Sequence, residues 1–370
     1  MTSDDPVRVL DADGRVTDAD TVPDLDDETL VDIHRDMLRA RHLDERAISL
    51  QRQGRIGTFF SCAGQEAAQV ASTHALAAHD PICFQYREHG AVVARAGADP
   101  DPLAGYLSYW MGHAAGNAAL ADLDVFPLNV AIASHIPHAV GMAWAARVRG
   151  TGDVVACHFG DGATSEGDFH EALNFAGVVD APSILVCHNN GWASSHPSAA
   201  QTASDTFAAK ADAYGFWGVR VDGMDPLATY AVIEQAADKA RNPGRGERRP
   251  TLVEAVSYRL GAHATADDPT VYRDEEEVAR WQERDPIDRY GTFLRERGLL
   301  DDEREDAMDE AARETVAAAI ERAERYDPDP EELFDHASAD LPPAVRRQRE
   351  AFAAIRAEHG DGAFLRDEGP

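Results

Sequence analysis

Two short apolar runs, each closing on polar residues, constrain the fold of this chain more than any other feature. Val154 to Phe159 reads as a buried strand running into Gly160–Asp161–Gly162. Ser183 to His188 reads as a second strand, running into Asn189–Asn190, 28 residues beyond the aspartate. Between them Phe169, Ala172, Leu173 and Ala176 recur at amphipathic spacing, which predicts a helix from about Gly167 to Ala176. Strand, helix and strand in that order form a βαβ unit, whose right-handed crossover brings the carboxyl ends of both strands close together. Ligands of such sheets bind outside those ends. A carboxylate from Asp161 and an amide oxygen from Asn190 suit a hard divalent cation such as Mg²⁺. The triplet alone also matches an ordinary Asp-Gly turn; its pairing with asparagines at a second strand end sets it apart.

The alternation continues along the chain. Helical spacing predicts helices from Asp27 to about Gln53, from Ala67 to Ala77 and from Ile136 to Val148. Beyond the βαβ unit come a strand at Val219–Val221, a helix over 226–241 and a strand at Thr251–Tyr258. This order predicts an α/β fold with a parallel, doubly wound sheet flanked by helices. Residues 263–273 have few apolar side chains and a DDP turn signal, and read as a mobile loop. Asp301 to Arg325 reads as a charged helix and Pro342–Arg356 as another. The expected organisation is a loosely ordered acidic tail over 1–24, an α/β domain over 25–300 and a helical C-terminal extension over 301–370.

Charge narrows the functional classes. Asp+Glu number 66 against 35 Lys+Arg, a net charge of −31, and only Lys210 and Lys239 are lysines. Such a surface repels nucleic acid and anionic membrane, which excludes both as main partners. Its self-repulsion is screened at molar salt, where the Debye length is about 3 Å. The expectation is a protein of a halophilic cell that keeps molar salt inside; a merely acidic protein is the alternative. Cys62, Cys83, Cys157 and Cys187 form no CxxC pair, which fits a reducing cytosol. No apolar run approaches the roughly 18 residues needed to span a bilayer, and Met1–Asp5 lacks the basic start of a signal peptide. The expected location is cytoplasmic.

The Gly-Asp-Gly…Asn-Asn arrangement resembles the thiamine diphosphate motif. From about Asp44 to Arg289 the chain is similar to the alpha subunit of the E1 component of 2-oxo acid dehydrogenase complexes. The resemblance is carried by QRQGRIG at 51–57, AGQEA at 63–67, QYRE at 85–88, GDGATSEGDFHEALNFAG at 160–177, NNG at 189–191 and YRLGAHATADDPTVYR at 258–273. VDGMDPLA at 221–228 is a weaker match. Several matches in one order are far more specific than any one of them.

The resemblance implies thiamine diphosphate and Mg²⁺ as cofactors, with residue roles carried over position by position. Asp161, Asn190 and the main-chain carbonyl of Trp192 would hold the metal; the family usually has tyrosine at that last position, and a main-chain ligand survives the change. Tyr86 and Arg87 match the pair that contacts the diphosphate, and an arginine fork suits phosphate. Gly160, Gly162 and Ala163 belong to the same diphosphate loop, the last two offering N–H groups just ahead of a helix. His263 matches the loop histidine that contacts the cofactor and assists acyl transfer, a role suited to imidazole. Ala264 stands where family members under kinase control carry serine. Ile132 aligns with the apolar residue that props the cofactor into its bent form, and Val130 with a carbonyl for its pyrimidine amino group; by pattern alone both suit a core equally. His188 stands where an arginine can reach the diphosphate. His135 and His138 are open between substrate contact and helix packing.

The glutamate that activates the pyrimidine ring has no evident candidate besides Glu66, which reads better as a helix-start acid. It is expected from a separate E1 beta subunit in an α₂β₂ heterotetramer, with the acyl group passing to a lipoyl-bearing E2 acyltransferase. The implied reaction is oxidative decarboxylation of a small 2-oxo acid, pyruvate favoured, with branched-chain 2-oxo acids or acetoin as alternatives. A stand-alone decarboxylase needing Glu66 and a non-catalytic E1-like scaffold are the rival readings.

Overall fold

The strands that build the sheet are short and apolar on both faces, as strands covered by helices on each side must be. A computed structural model describes residues 5–327, 330–335 and 338–364. Its strands are β1 (Ile82–Cys83), β2 (Val155–Gly160), β3 (Ser183–Asn189), β4 (Trp192–Ala193), β5 (His196–Pro197), β6 (Trp217–Asp222) and β7 (Thr251–Val256). Five of them form one parallel sheet in the order β1-β2-β3-β7-β6, while β4 and β5 pair as a separate antiparallel hairpin. The helices are α1 (Asp27–Arg52), α2 (Glu66–His74), α3 (His89–Ala96), α4 (Pro100–Trp110), α5 (His135–Arg149), α6 (Gly167–Val179), α7 (Pro226–Arg241), α8 (Glu275–Gln282), α9 (Pro286–Glu296) and α10 (Asp302–Glu324), with a last one at Pro343–His359.

Alternation along each strand sorts side chains into two cores. Cys157, Phe159, Leu185 and Leu252 point to the core beneath α5 and α6, where Ile136, Ala139, Val140 and Ala143 of α5 let the helix approach closely. Ala156, Ile184, Val186 and Val253 point to the other core, shared with α1 and α7. Each fully buried Leu, Ile or Val stabilises the fold by roughly 1.5–3 kcal/mol. The sheet is therefore covered by helices on both faces, as the sequence predicts.

Register then fixes where a ligand can sit. Gly160 lies beside His188 and Asn189 beside Val256, so three parallel strands finish at one level. The segment after β7 crosses those ends and meets the start of α2, where Leu260 N–H donates to the Ala63 carbonyl at 3.1 Å. Gly64 makes that approach possible: its φ is +89°, and an added Cβ would lie 2.4 Å from the Tyr258 carbonyl oxygen.

Two expectations are corrected, the loose N-terminal tail and the mobile loop. From residue 5 on, the N-terminal segment is not loosely ordered. Val7 pairs in parallel with Val221, Leu10 pairs with Val16, and Val9 and Leu10 are buried. The physical reason is the edge strand β6, whose Arg220 carbonyl and Asp222 N–H are bonded by Val7, each at 2.9 Å. The charged helix expected over Asp301 to Arg325 is present as α10, and its Met308, Ala312, Val316, Ala319 and Ile320 lie in the same core as α1 and α4. Residues 263–273 are irregular apart from a turn at Pro269–Val271, but they are pinned by side-chain hydrogen bonds described below. β1, α3, α4, α8 and α9 had no counterpart in the sequence reading.

Candidate active site

One cleft opens at the carboxyl ends of β2 and β3, roofed by the start of α2, the strand-end loop after β1 and the 258–263 segment. It is lined by Tyr86, Arg87, Ile132, Gly160, Asp161, Gly162, Ala163, Asn190, Trp192 and His263, ten of the eleven positions to which the resemblance gives a cofactor, metal or catalytic role. Val130 is the exception. It is 49% exposed and does not line the cleft. Ile132 is 41% exposed, so neither residue serves as core packing.

Asp161 starts the 3₁₀ turn that follows β2 and is 1% exposed. Its Oδ2 accepts from Ser198 Oγ at 2.7 Å and from Gln201 Nε2 at 3.0 Å. No basic side chain among the described residues forms an ion pair with it, and burial pushes its pKa up. A buried carboxylate without a cationic partner is costly unless a cation joins it. Asn190 is oriented by Gln65, whose Oε1 accepts from Asn190 Nδ2 at 3.1 Å, while Asn190 Oδ1 accepts the Trp192 N–H at 3.2 Å. The Trp192 carbonyl accepts from Arg259 at 3.2 Å and keeps a second lone pair. This donor set fits a hard cation. Among the described residues no cluster of three or more His, Cys, Asp or Glu could hold a metal. A cation here would therefore need oxygens from a bound ligand as well. Gly162 keeps the loop against the hairpin: an added Cβ would lie 2.8 Å from the Ala193 Cβ.

The other wall is basic. Arg87 is held by the Ser61 carbonyl and by the His263 carbonyl, the latter at 2.9 Å, and its guanidinium lies over the rings of Phe60 and Tyr86. Ser61 is fixed in turn by the buried Asp44, which accepts from Ser61 Oγ and the Cys62 N–H, both at 2.7 Å. Burial raises the Asp44 pKa to about 6. Arg259 is fully buried and donates to the Trp192 carbonyl, the Ser194 carbonyl at 2.7 Å and the Tyr272 hydroxyl at 2.8 Å. Burial, with Arg87 second, lowers its pKa to about 10. Asp267 accepts the His263 N–H at 2.8 Å and the Tyr272 hydroxyl, which closes the loop on itself. Burial and the two arginines lower the His263 pKa to about 4.

The remaining histidines sort by burial. His188 lines the cleft, and its Nε2 lies 3.0 Å from Nδ1 of His158. His135 is buried and donates to the His158 carbonyl at 2.8 Å, which makes it a packing residue; His138 is exposed near Phe126. Glu66 is fully buried, bonded to Arg41 at 2.6 Å and to the Gly64 N–H at 2.8 Å, and it does not line the cleft. Glu88 does, turned back onto the Gln85 and Arg87 N–H groups. The sequence reading missed Gln65, Gln85, Ser194, Ser198, Gln201 and Arg259. Of these only Gln65, Gln85 and Arg259 lie inside matched motifs, AGQEA, QYRE and the YR…YR stretch.

Comparison with known proteins identifies the family. The family model described as dehydrogenase E1 component matches residues 34–331. The 3-methyl-2-oxobutanoate dehydrogenase subunit alpha of Mycobacterium tuberculosis is 42% identical over 355 residues, covering 95% of this chain and 94% of that one. The pyruvate dehydrogenase E1 component subunit alpha of Staphylococcus aureus is 39% identical over 348 residues, covering 94% and 92%. No helix among the described residues is long and apolar enough to cross a membrane. On this match, which spans most of its length, the chain belongs to the dehydrogenase E1 component family, among the alpha subunits of 2-oxo acid dehydrogenases.

Proposed function

We propose that this chain binds thiamine diphosphate and Mg²⁺ in the cleft and, with a beta subunit, carries out the oxidative decarboxylation of pyruvate. The observation that carries the reading is the buried carboxylate of Asp161, without an ion-pair partner among the described residues, in the same cleft as Arg87 and His263. Thiamine diphosphate, when bound, supplies the carbon nucleophile for the 2-oxo group and the electron sink for CO₂ loss. The protein's part is to bind and orient. Asp161, Asn190 and the Trp192 carbonyl would hold Mg²⁺, and Arg87 with Tyr86 would meet the diphosphate. Gly162 and Ala163 would offer N–H groups to it, with Gly160 leaving the loop room to approach. Ile132 would support the bent cofactor; Val130, which does not line the cleft, is left without a contact to it. His263 would serve the acyl transfer to a lipoyl-bearing E2 partner.

Glu66 is committed to Arg41 and stands outside the cleft, which supports an activating glutamate from the beta subunit of an α₂β₂ assembly. A branched-chain 2-oxo acid is the second reading, supported by the 42% identity to the mycobacterial subunit. The composition supports a cytoplasmic setting in a halophile, and the division into an α/β domain over 25–300 with a C-terminal extension remains part of this proposal.

The test is ferricyanide reduction driven by pyruvate, 2-oxobutyrate and the branched-chain 2-oxo acids, in molar KCl with Mg²⁺ and thiamine diphosphate. Turnover is expected only with the beta subunit present, and the preferred acid decides the substrate. Turnover by the chain alone would overturn the split site.

A further inference from the structure

His263 is held from three sides. Arg87 Nη2 lies 3.1 Å and Arg259 Nη1 3.3 Å from its Nδ1, and Ser194 Oγ lies 3.3 Å from its Nε2. A guanidinium has no lone pair to offer, so a nitrogen facing two of them must accept. The ring hydrogen is thereby placed on Nε2, pointing at the serine hydroxyl. Ser194 is itself in an unusual state, with φ +51° in the left-handed region that non-glycine residues seldom occupy. Its carbonyl accepts from Arg259 at 2.7 Å, so one arginine both sets the tautomer and secures the residue that meets the other nitrogen.

We propose that Ser194 is a positioning residue, and that with Arg87 and Arg259 it holds His263 as the neutral Nε2–H tautomer, which presents a hydrogen-bond donor to the cleft. Any group that takes the place of Ser194 at Nε2 must accept a hydrogen bond, and the resting histidine is no general base. Other groups around the ring agree: Asp267 engages its backbone N–H rather than the imidazole, and the Tyr86 and Phe60 rings meet it edge-on. Burial and the two guanidinium groups keep the ring neutral, with its pKa lowered to about 4. The inference deepens the role proposed for His263 and rests on that reading only for its consequence in turnover.

The test begins without turnover. The full chain, labelled with ¹⁵N-histidine and kept in molar KCl, is examined by two-bond ¹H–¹⁵N correlation, with His263 assigned by the signal lost in His263→Gln. The expected result is a protonated Nε2 and a bare Nδ1, neutral down to about pH 5. An Nδ1–H tautomer, or an imidazolium at neutral pH, would overturn the proposal whatever the enzyme turns over. Three substitutions then separate hydroxyl from backbone. Ser194→Ala and Ser194→Gly both remove the acceptor, but glycine also relieves the left-handed strain. Ser194→Asn tolerates that backbone and restores an acceptor. With the beta subunit, Ala and Gly are expected to lower kcat about fivefold at unchanged KM, the worth of one neutral hydrogen bond, and Asn to recover most of it. A glycine variant equal to the parent would show that only the backbone mattered and would end the proposal.

Discussion

Arg87 donates through Nη2 to the main-chain carbonyl of His263 at 2.9 Å, and through Nη1 to the carbonyl of Ser61. The strand-end arginine is thus the strut between the start of α2 and the loop after β7, in addition to being a positive charge in the cleft. Arg87→Lys keeps the charge but cannot span both carbonyls, since a single ammonium lacks the planar fork. It is expected to lower kcat/KM by about 10- to 100-fold, given ~1.5–3 kcal/mol for a hydrogen bond to a charged group. Arg87→Ala should fall further. Steady-state ferricyanide reduction with the beta subunit present measures both; a lysine variant as active as the parent would show that charge alone suffices.

Asp161 makes a prediction of opposite sign for stability and binding. Asn in its place keeps an oxygen for Ser198 and Gln201 and removes a buried negative charge. In the absence of metal Asp161→Asn should be more stable by about 1–2 kcal/mol, because the desolvation cost of the charge is gone. The same change should abolish Mn²⁺ binding in the presence of thiamine diphosphate. Urea denaturation and Mn²⁺ electron paramagnetic resonance give the two readings, and unchanged Mn²⁺ affinity would remove Asp161 from the metal site.

These residues differ in how far sequence could reveal them. Asp161 and Asn190 were legible because each ends an apolar run of strand length, so periodicity alone put both at the same edge of a sheet. Ser198, Gln201 and Ser194 were not, because their roles arise only when the β4–β5 hairpin folds back over the strand ends. Asp225 shows the boundary within one side chain. Its Oδ1 caps α7 by accepting the Leu227 and Ala228 N–H groups, which an Asp-Pro start suggests from sequence. Its Oδ2 accepts the N–H groups of Val9 and Leu10, 216 and 215 residues away, which no local pattern encodes. That is why the N-terminal segment read as a loose tail.

The same aspartate carries a stability prediction. Asp225→Ala would leave four backbone N–H groups without their acceptor and strip Arg289 of a neighbouring carboxylate at 3.9 Å. Losing one partner of a buried charged network costs about 3–5 kcal/mol. Denaturation at fixed KCl should show that loss, together with faster amide exchange at Val9 and Leu10. A loss below about 1 kcal/mol, the worth of a helix cap alone, would mean the N-terminal contact contributes little.

Salt dependence follows from the imbalance of 66 acidic against 35 basic residues. Exposed ion pairs such as Arg15–Asp13 weaken as salt rises, but each is worth only about 0–1 kcal/mol. Relief of general self-repulsion should outweigh them. The melting temperature is expected to rise steadily from about 0.1 M to 2 M KCl, as the Debye length falls from about 10 Å toward and below 3 Å. A flat or falling profile would refute the halophilic reading.

His34 on α1 gives the sharpest pH prediction. It is fully buried, and neither ring nitrogen has a hydrogen-bond partner among the described residues. Burial, and then the charge of Arg295, lower its pKa to about 4 from 6.5. Between those values the unfolded chain binds a proton that the folded chain refuses, so stability rises with pH there. The contribution is intact above about pH 6.5 and is lost as pH falls toward 4, by an amount on the order of 3 kcal/mol. His89, His135, His188 and His263 act in the same direction, whereas Asp44, raised to about 6, acts against them. These terms cancel in a comparison at one position. His34→Leu should therefore match or exceed the parent near neutral pH and gain on it progressively below about pH 6.5. Urea denaturation of both proteins across that interval, in molar KCl, reads the difference directly. A constant gap between the two curves would show that His34 is not the proton-refusing group.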